Sequence, residues 1–292
     1  MEHKTILITG ASDGIGKETA KTLAKQGHRI IIHGRNKQKT ETAFEEIKRE
    51  SGNQYIDMYV ADFLSLSEVK EFADTIKQKY DHLDVLINNA GAQFTNTRET
   101  TSEGHEKTMV INVLAPFLLT TLLLDLLKKS KSARVVTVSS ASHAMGKIDL
   151  NDIEFENGYS MSRAYGVTKK YIIWIMQHFV IEMKNAGIGN ITFNSVHPGS
   201  TATSLARESS KMLAFRIIMF LWQPMMNSME KAINPSIKCA TAPELEGVTG
   251  KYFGPKGEEK VNQKYYSAES EQIVWDYCMK AIKPFIIYPK HS

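Results

Sequence analysis

An apolar strand that runs directly into a glycine-rich turn decides the fold: Thr5-Ile6-Leu7-Ile8-Thr9-Gly10-Ala11-Ser12-Asp13-Gly14-Ile15-Gly16. An apolar run without polar alternation is typical of a strand that helices cover on both faces. The amphipathic stretch 14–27 then predicts a helix that begins inside the glycine cluster. Glycines here let the backbone approach a pyrophosphate, to which the helix N-terminus presents its N–H groups. The stretch therefore predicts a dinucleotide-binding unit; the alternative is a glycine-rich turn without a ligand.

The same alternation of short apolar runs and longer helical stretches continues to about residue 196. Strands are predicted at 29–33, 55–61, 85–87, 134–138 and 191–196, and helices at 37–50, 65–80, 102–129 and 162–185. Repeated strand–helix units predict an α/β fold, a doubly wound, Rossmann-like parallel sheet with helices on both faces. No internal repeat, low-complexity tract or linker divides the chain, so we expect a single domain over residues 1–292.

Composition and charge narrow the function classes. The 292 residues are 42% hydrophobic and 23% charged, which is ordinary for a soluble globular protein. With 36 basic and 32 acidic side chains and no long run of one sign, nothing indicates a nucleic-acid partner. Cys239 and Cys278 form neither a disulfide framework nor a metal-ligand spacing, so no metal is expected. The N-terminus has no signal-peptide pattern and no run of about 18 apolar residues occurs. We expect a cytoplasmic protein, and membrane association stays open as an alternative.

The end of the second predicted strand indicates which dinucleotide is bound. NAD sites carry Asp or Glu about 20 residues past the glycines, where the carboxylate bonds the ribose 2′-hydroxyl. This chain has Gly34 and Arg35 there, with Lys37 and Lys39 nearby. A guanidinium can bind a 2′-phosphate bidentately, whereas a carboxylate would repel it. The sequence therefore predicts NADP(H); the alternative is that Arg35 is only a solvated loop residue.

Several further motifs follow the predicted strands, and together with the first they give the chain a family resemblance. They are Asp62, Asn88-Asn89-Ala90-Gly91, Val138-Ser139-Ser140, Tyr165-Gly166-Val167-Thr168-Lys169 and His197-Pro198-Gly199-Ser200-Thr201-Ala202-Thr203. In this order and spacing the chain resembles the short-chain dehydrogenase/reductase family over about residues 5–205. The long stretch between Ser140 and Tyr165, and the segment 243–253, look like the retinol dehydrogenase-like branch.

The resemblance implies a set of cofactor-binding residues, most of which lie just past strand ends. The set comprises Gly10, Ser12, Asp13, Gly14, Ile15, Gly16, Arg35, Asn36, Asp62, Asn89, Ala90, Gly91, Tyr165, Lys169, Pro198, Gly199, Thr201 and Thr203. Within it Asp62 would lie near the adenine. Asp13 has no obvious role, because an acidic side chain is unexpected in a phosphate-binding loop.

Hydride transfer to a carbonyl needs a proton donor for the developing alkoxide. Tyr165 and Lys169 are four residues apart and share one helix face, where a positive charge lowers the pKa of a phenol from about 10. The resemblance implies Tyr165 as general acid/base and Lys169 as the group that tunes it and holds the nicotinamide ribose. It implies that Ser140, rather than its neighbour Ser139, polarises the substrate oxygen. Asn112 would help to hold a water that links Lys169 to solvent.

Two histidines lie near these motifs. His143 lies close to Ser140, but no carboxylate motif supports a Ser-His-Asp arrangement, so packing or lining of the substrate pocket is expected. His197 precedes Pro198 and is expected to be structural.

Residues 204–233 lie where the family has its variable substrate lid, and their middle, 211–226, is strongly apolar. Three interpretations remain open for this segment: a lid over a lipophilic substrate, an ordinary core helix or homodimer contact, and docking onto a membrane surface. The expected activity is NADP(H)-dependent interconversion of a carbonyl and an alcohol, with a lipophilic, retinal-like aldehyde or a ketone among the candidate substrates. The alternative is a sensor or scaffold that binds NADP(H) without turnover.

Overall fold

The computed structural model describes residues 3–199 and 228–286, which form a layered structure around one sheet. The strands are β1 (Thr5–Ile8), β2 (Arg29–Gly34), β3 (Ile56–Val60), β4 (Val85–Asn88), β5 (Ala133–Val138), β6 (Ile191–Val196), β7 (Tyr252–Gly254) and β8 (Gly257–Glu259). Their spatial order is β3-β2-β1-β4-β5-β6-β7-β8. Neighbouring strands are parallel except β7 and β8, which are antiparallel.

Helices cover both faces of the sheet. They are α1 (Gly14–Lys25), α2 (Lys37–Ser51), α3 (Leu66–Lys79), α4 (Lys107–Lys128), α5 (Met161–Asn185), α6 (Met229–Thr241) and α7 (Ala268–Ile286). Ile6 and Ile8 of β1 belong to the core beneath α1, α2 and α6, whereas Leu7 belongs to the core beneath α3, α4, α5 and α7. Successive side chains of a strand point to opposite faces, so an all-apolar strand must be covered twice. The predicted doubly wound parallel sheet is confirmed.

Helix α4 begins at Lys107 rather than near residue 102. Before it, the backbone N–H of Thr101 donates to the carbonyl of His105 at 2.8 Å, so the preceding residues form a turn. Glu106 caps the helix by accepting the N–H of Met109 at 2.7 Å. The helix is long and apolar enough to cross a membrane by composition, but 72% of its most apolar window is buried inside the fold. That burial is typical of a core helix.

A buried histidine joins the carboxyl ends of three strands beside the glycine-rich turn. His33 Nδ1 accepts the backbone N–H of Gly10 at 3.3 Å, and its Nε2 lies 3.0 Å from the carbonyl oxygen of Ala61. Since Nδ1 accepts, the proton of the neutral ring is on Nε2, which donates to Ala61. The ring stacks on Phe63 with centroids 3.9 Å apart, and burial lowers the pKa of His33 to about 4.

The low pKa of His33 predicts a loss of stability in mild acid. The unfolded chain takes up this proton near the ordinary pKa of 6.5, while the folded chain stays neutral until about 4. The unfolded state therefore binds more protons between these values, and the free energy of unfolding falls by about 3 kcal/mol as the pH drops through them. Urea unfolding at pH 7 and pH 5 should show a smaller loss in His33→Asn. An equal loss in both proteins would contradict this origin.

Candidate active site

The glycine-rich stretch from the end of β1 into α1, residues 9–16, is termed the cradle, and several of its positions accommodate only glycine. Gly10 has φ +64° and Gly14 has φ +55°, backbone conformations that residues with a Cβ rarely adopt. A Cβ on Gly10 would lie 2.8 Å from the Cα of Ala90, and one on Gly16 would lie 2.4 Å from Nδ2 of Asn89. The turn thus packs directly against the segment that follows β4.

Asp13 has a structural role that the sequence did not reveal. It is the N-cap of α1, and its Oδ1 accepts the backbone N–H of Gly14 at 2.8 Å. A side-chain oxygen at this position satisfies one of the N–H groups that a helix start leaves without a partner. An acidic residue within the loop is therefore explained by the start of the helix.

Asn89 and Thr9 tie the two halves of the cradle together. Nδ2 of Asn89 donates to the carbonyl oxygens of Thr9 at 2.9 Å and Gly10 at 3.1 Å. In return the hydroxyl oxygen of Thr9 accepts the backbone N–H groups of Asn89 at 3.0 Å and Ala90 at 2.9 Å. These four bonds fix the ends of β1 and β4 relative to each other, so the Asn-Asn-Ala-Gly motif shapes the cradle.

Arg35, predicted to bind the 2′-phosphate, lies past β2, and Asp62, predicted to lie near the adenine, lies past the neighbouring strand β3. A Cβ on Gly34 would lie 2.9 Å from the Cβ of Ser12, so the end of β2 packs closely against the cradle. Arg35, the next residue, is exposed, and Asn36 caps α2 by accepting the N–H of Lys39 at 3.0 Å. Asp62 follows β3, and its Oδ1 accepts the N–H of Leu64 at 3.0 Å.

Ser140, Tyr165 and Lys169 meet at the other side of this edge. The ammonium of Lys169 is buried, donates to the carbonyl oxygen of Val138 at 3.0 Å and lies 5.7 Å from the centroid of the Tyr165 ring. Burial lowers the pKa of Lys169 to about 8. Burial also raises the pKa of Tyr165, and a hydrogen bond with the side chain of Ser140 opposes that rise.

Asn112 lies behind this group in an irregular part of α4. Residues Val110–Leu114 form a π-helical segment, a feature often found at functional sites. The Asn112 amide pairs with the backbone of Ala92, accepting its N–H at 3.1 Å and donating to its carbonyl at 3.0 Å. A Cβ on Gly91 would lie 2.8 Å from Oδ1 of Asn112 and 3.1 Å from Nζ of Lys169. Glycine at 91 therefore lets these two side chains converge.

The two adjacent serines have different surroundings. Ser139 is buried, and its hydroxyl donates to the backbone carbonyl of Lys169 at 2.6 Å. Ser140 is partly exposed and accepts the N–H of Ser142 at 3.1 Å, and its side chain opposes the rise in the pKa of Tyr165. Ser139 therefore joins β5 to α5, while Ser140 shares the open side of the site with Tyr165.

Neither nearby histidine forms a catalytic pair with Ser140. The backbone N–H of Gly199 donates to Nδ1 of His197 at 3.1 Å, and the opposite nitrogen bonds Glu259 at 2.9 Å. His143 is within 2.8 Å of the carbonyl oxygen of Ser140 and not of its hydroxyl. The structural role predicted for His197 fits these contacts. Sequence reasoning missed Glu259, because nothing local links it to a residue 62 positions earlier.

Part of the predicted site lies outside the described residues. This holds for Thr201 and Thr203 and for 204–227 of the predicted lid, including the apolar stretch 211–226. The last part of the predicted lid, 228–233, is described.

Ser228 caps α6, and the rest of this last part belongs to that helix. Ala232 and Ile233 are buried and pack with Ile15 of the glycine-rich turn. The C-terminal end of the predicted lid is therefore the start of a core helix that packs against the cradle.

Comparisons with known proteins match this arrangement. The family model described as short chain dehydrogenase matches residues 4–214. Retinol dehydrogenase 13 of Homo sapiens is 34% identical, with 93% of this chain and 84% of that protein covered. Polyprenol dehydrogenase of Homo sapiens is also 34% identical, with 93% and 83% covered.

Solved structures share the fold. An uncharacterized protein from Mycobacterium paratuberculosis has a TM-score of 0.74 at 27% identity, with 96% of this chain and 93% of that chain covered. A short chain dehydrogenase from Shigella flexneri, solved in complex with NADP, has a TM-score of 0.68 at 26% identity, with 88% and 98% covered. The family model spans most of the chain, and the relatives match nearly all of it. The chain therefore belongs to the short-chain dehydrogenase family and is an oxidoreductase that acts on alcohol or carbonyl carbons with a nicotinamide cofactor.

Proposed function

We propose that the chain uses NADP(H) to interconvert a lipophilic aldehyde or ketone and its alcohol, with Tyr165 moving the proton. The observation that carries the proposal is the buried ammonium of Lys169, which lies 5.7 Å from the centroid of the Tyr165 ring; the Ser140 side chain opposes the rise that burial causes in the pKa of Tyr165. The lipophilic substrate is supported by the relatives named for retinol and polyprenol. The described helices pack around one sheet, which supports a single domain over 1–292.

The residues present fit a dinucleotide. A cradle whose glycines leave no room for a Cβ, at the start of a helix, suits a pyrophosphate. Gly10, Gly14 and Gly16 would hold the pyrophosphate, and Arg35 would bind a 2′-phosphate as the cation that replaces the NAD-type carboxylate. When bound, the cofactor supplies or accepts the hydride.

The chain's own residues handle the proton and the charge. Reduction of a carbonyl carbon leaves negative charge on its oxygen, which the hydroxyl groups of Ser140 and Tyr165 can stabilise and protonate. The ammonium of Lys169 then favours the phenolate that Tyr165 leaves behind. With a pKa of about 8, Lys169 is mostly charged at neutral pH. In the reverse direction Tyr165 takes the alcohol proton.

Removing the Arg35 guanidinium should weaken NADPH binding selectively. Loss of a charge-assisted bidentate bond corresponds to about a 10- to 100-fold rise in the Kd for NADPH. The Kd for NADH, which lacks the 2′-phosphate, should stay within about twofold. Titration of Arg35→Ala by cofactor fluorescence measures both values. Lys25→Ala is the matched control, because it removes one exposed positive charge at the end of α1 that lies away from the cradle. An unchanged NADPH affinity in Arg35→Ala would refute the phosphate role.

A panel of lipophilic aldehydes and ketones tests the reaction. The rate at which NADPH absorbance is lost should exceed the rate for NADH. In Tyr165→Phe this rate should be lower by about 100-fold or more. Ser140→Ala should lower kcat/KM by about 100-fold. The Ser139 hydroxyl donates to the backbone carbonyl of Lys169, so Ser139→Ala should mainly lower the melting temperature. A larger kinetic loss in Ser139→Ala than in Ser140→Ala would reverse the assignment of the two serines.

A further inference from the structure

The C-terminal part of the chain reaches the Ser140 turn through one buried side chain, His143. This residue lies in the short 3₁₀ turn Ala141–Met145 that follows Ser140. Its Nδ1 is 2.8 Å from the carbonyl oxygen of Ser140, and its Nε2 is 3.2 Å from the backbone nitrogen of Asn262. The hydroxyl of Tyr252 is 3.3 Å from Nδ1. The ring therefore links the Ser140 turn to a residue that lies 119 positions after His143 in the chain.

The partners of the ring fix its protonation and tautomer. The backbone N–H of Asn262 can only donate, so Nε2 of His143 must accept and carries no hydrogen. The carbonyl of Ser140 can only accept, so the ring proton is on Nδ1 and donates to it. Both bonds exist together only when the imidazole is neutral with its proton on Nδ1. Protonation of Nε2 would set two N–H groups against each other.

Charged and titratable groups surround His143 from several elements. Lys170 on α5, His197 at the end of β6 and Glu259 on β8 each influence its pKa electrostatically. The Tyr252 ring packs edge-on against the imidazole, with ring centroids 5.0 Å apart. Burial is the main cause that lowers the pKa of His143; Lys170 and His197 lower it further, while the bond to the Ser140 carbonyl and the charge of Glu259 oppose the shift. The neutral ring that the bridge requires is therefore the favoured state at neutral pH.

The segment that His143 contacts is itself firmly held. The ammonium of Lys170 is buried, donates to the carbonyl of Lys264 at 2.9 Å and lies 3.3 Å from Oδ1 of Asn262. On the far side of the turn, a Cβ on Gly146 would lie 2.8 Å from the backbone of Gly166, next to Tyr165. The Ser140 turn is thus clamped between α5 and the segment that follows β8.

We propose that His143 is a positioning residue, which holds the Ser140 turn in register with Tyr165 by anchoring it to Asn262. The inference rests on the proposed function, because it concerns the hydroxyl that polarises the substrate. It makes the C-terminal segment part of the catalytic apparatus rather than only a cover for the sheet. It also gives carbonyl reduction an acid limit that Tyr165, which must be protonated for reduction, does not supply.

Kinetics of three proteins test the proposal. His143→Phe keeps a ring but has neither nitrogen, and should lower kcat about tenfold while the Kd for NADPH stays unchanged. His143→Gln can still present an oxygen toward Asn262 and should recover to within about threefold of wild type. Because protonation of His143 breaks the bridge, wild-type reduction should decline in acid, below the ordinary histidine pKa of 6.5, and His143→Gln should not show this decline. A purely structural His143 would change the melting temperature but neither kcat nor the pH profile.

A spectroscopic measurement decides the tautomer without any substrate. Ring ¹⁵N chemical shifts of the wild-type protein at pH 7, assigned by the signals missing in His143→Phe, should show a neutral ring protonated on Nδ1. A charged ring, or a proton on Nε2, would overturn the inference even if the enzyme is active. Wild-type turnover with no kinetic change in His143→Phe would overturn it alone, whereas absence of wild-type turnover would end the proposed function and this role together.

Discussion

The ammonium of Lys169 is buried at the end of the sheet, and the surrounding residues are arranged to hold it there. Burying a charge costs several kcal/mol unless hydrogen bonds compensate. The carbonyl of Val138 accepts one such bond at 3.0 Å, where β5 ends. Glycine at 91 leaves room for the ammonium after β4, and the Ser139 hydroxyl bonds the Lys169 backbone from β5. Strands β4 and β5 and helix α5 must therefore meet in one arrangement.

This arrangement explains how the site separates two kinds of work. Asn89 and the buried residues Asn112 and Ser139 bond mainly to backbone and keep the strand ends in place. Ser140 and Tyr165 are only partly buried, and they are the groups that the proposed reaction sets against the substrate oxygen. At the cradle, Asp13 likewise bonds the start of α1, while Gly10 and Gly14 adopt the left-handed backbone conformations that the turn requires. Rigid supports of this kind let a few reactive groups act without reorganising.

Local patterns predicted the features that depend on local physics. The apolar runs at 5–9 and 134–138 predicted strands buried on both faces, and the four-residue spacing of Tyr165 and Lys169 placed them together on α5. Patterns could not predict contacts between distant segments. The bond of His33 to Gly10 and that of His143 to Asn262 depend on how the sheet is assembled. Strands β7 and β8, three residues each, are too short to carry a periodic signal.

The central claim is that this site transfers a hydride from NADPH to a carbonyl carbon while Tyr165 supplies the proton. The most direct test is a single turnover with NADPH that carries deuterium at the reactive carbon of the nicotinamide, followed by mass spectrometry of the product. The account predicts an alcohol with one deuterium on its carbinol carbon, formed by the wild type and not by Tyr165→Phe. Tight NADPH binding with deuterium retained on the cofactor, whichever lipophilic carbonyl is offered, would contradict it and favour a non-catalytic NADP(H) sensor.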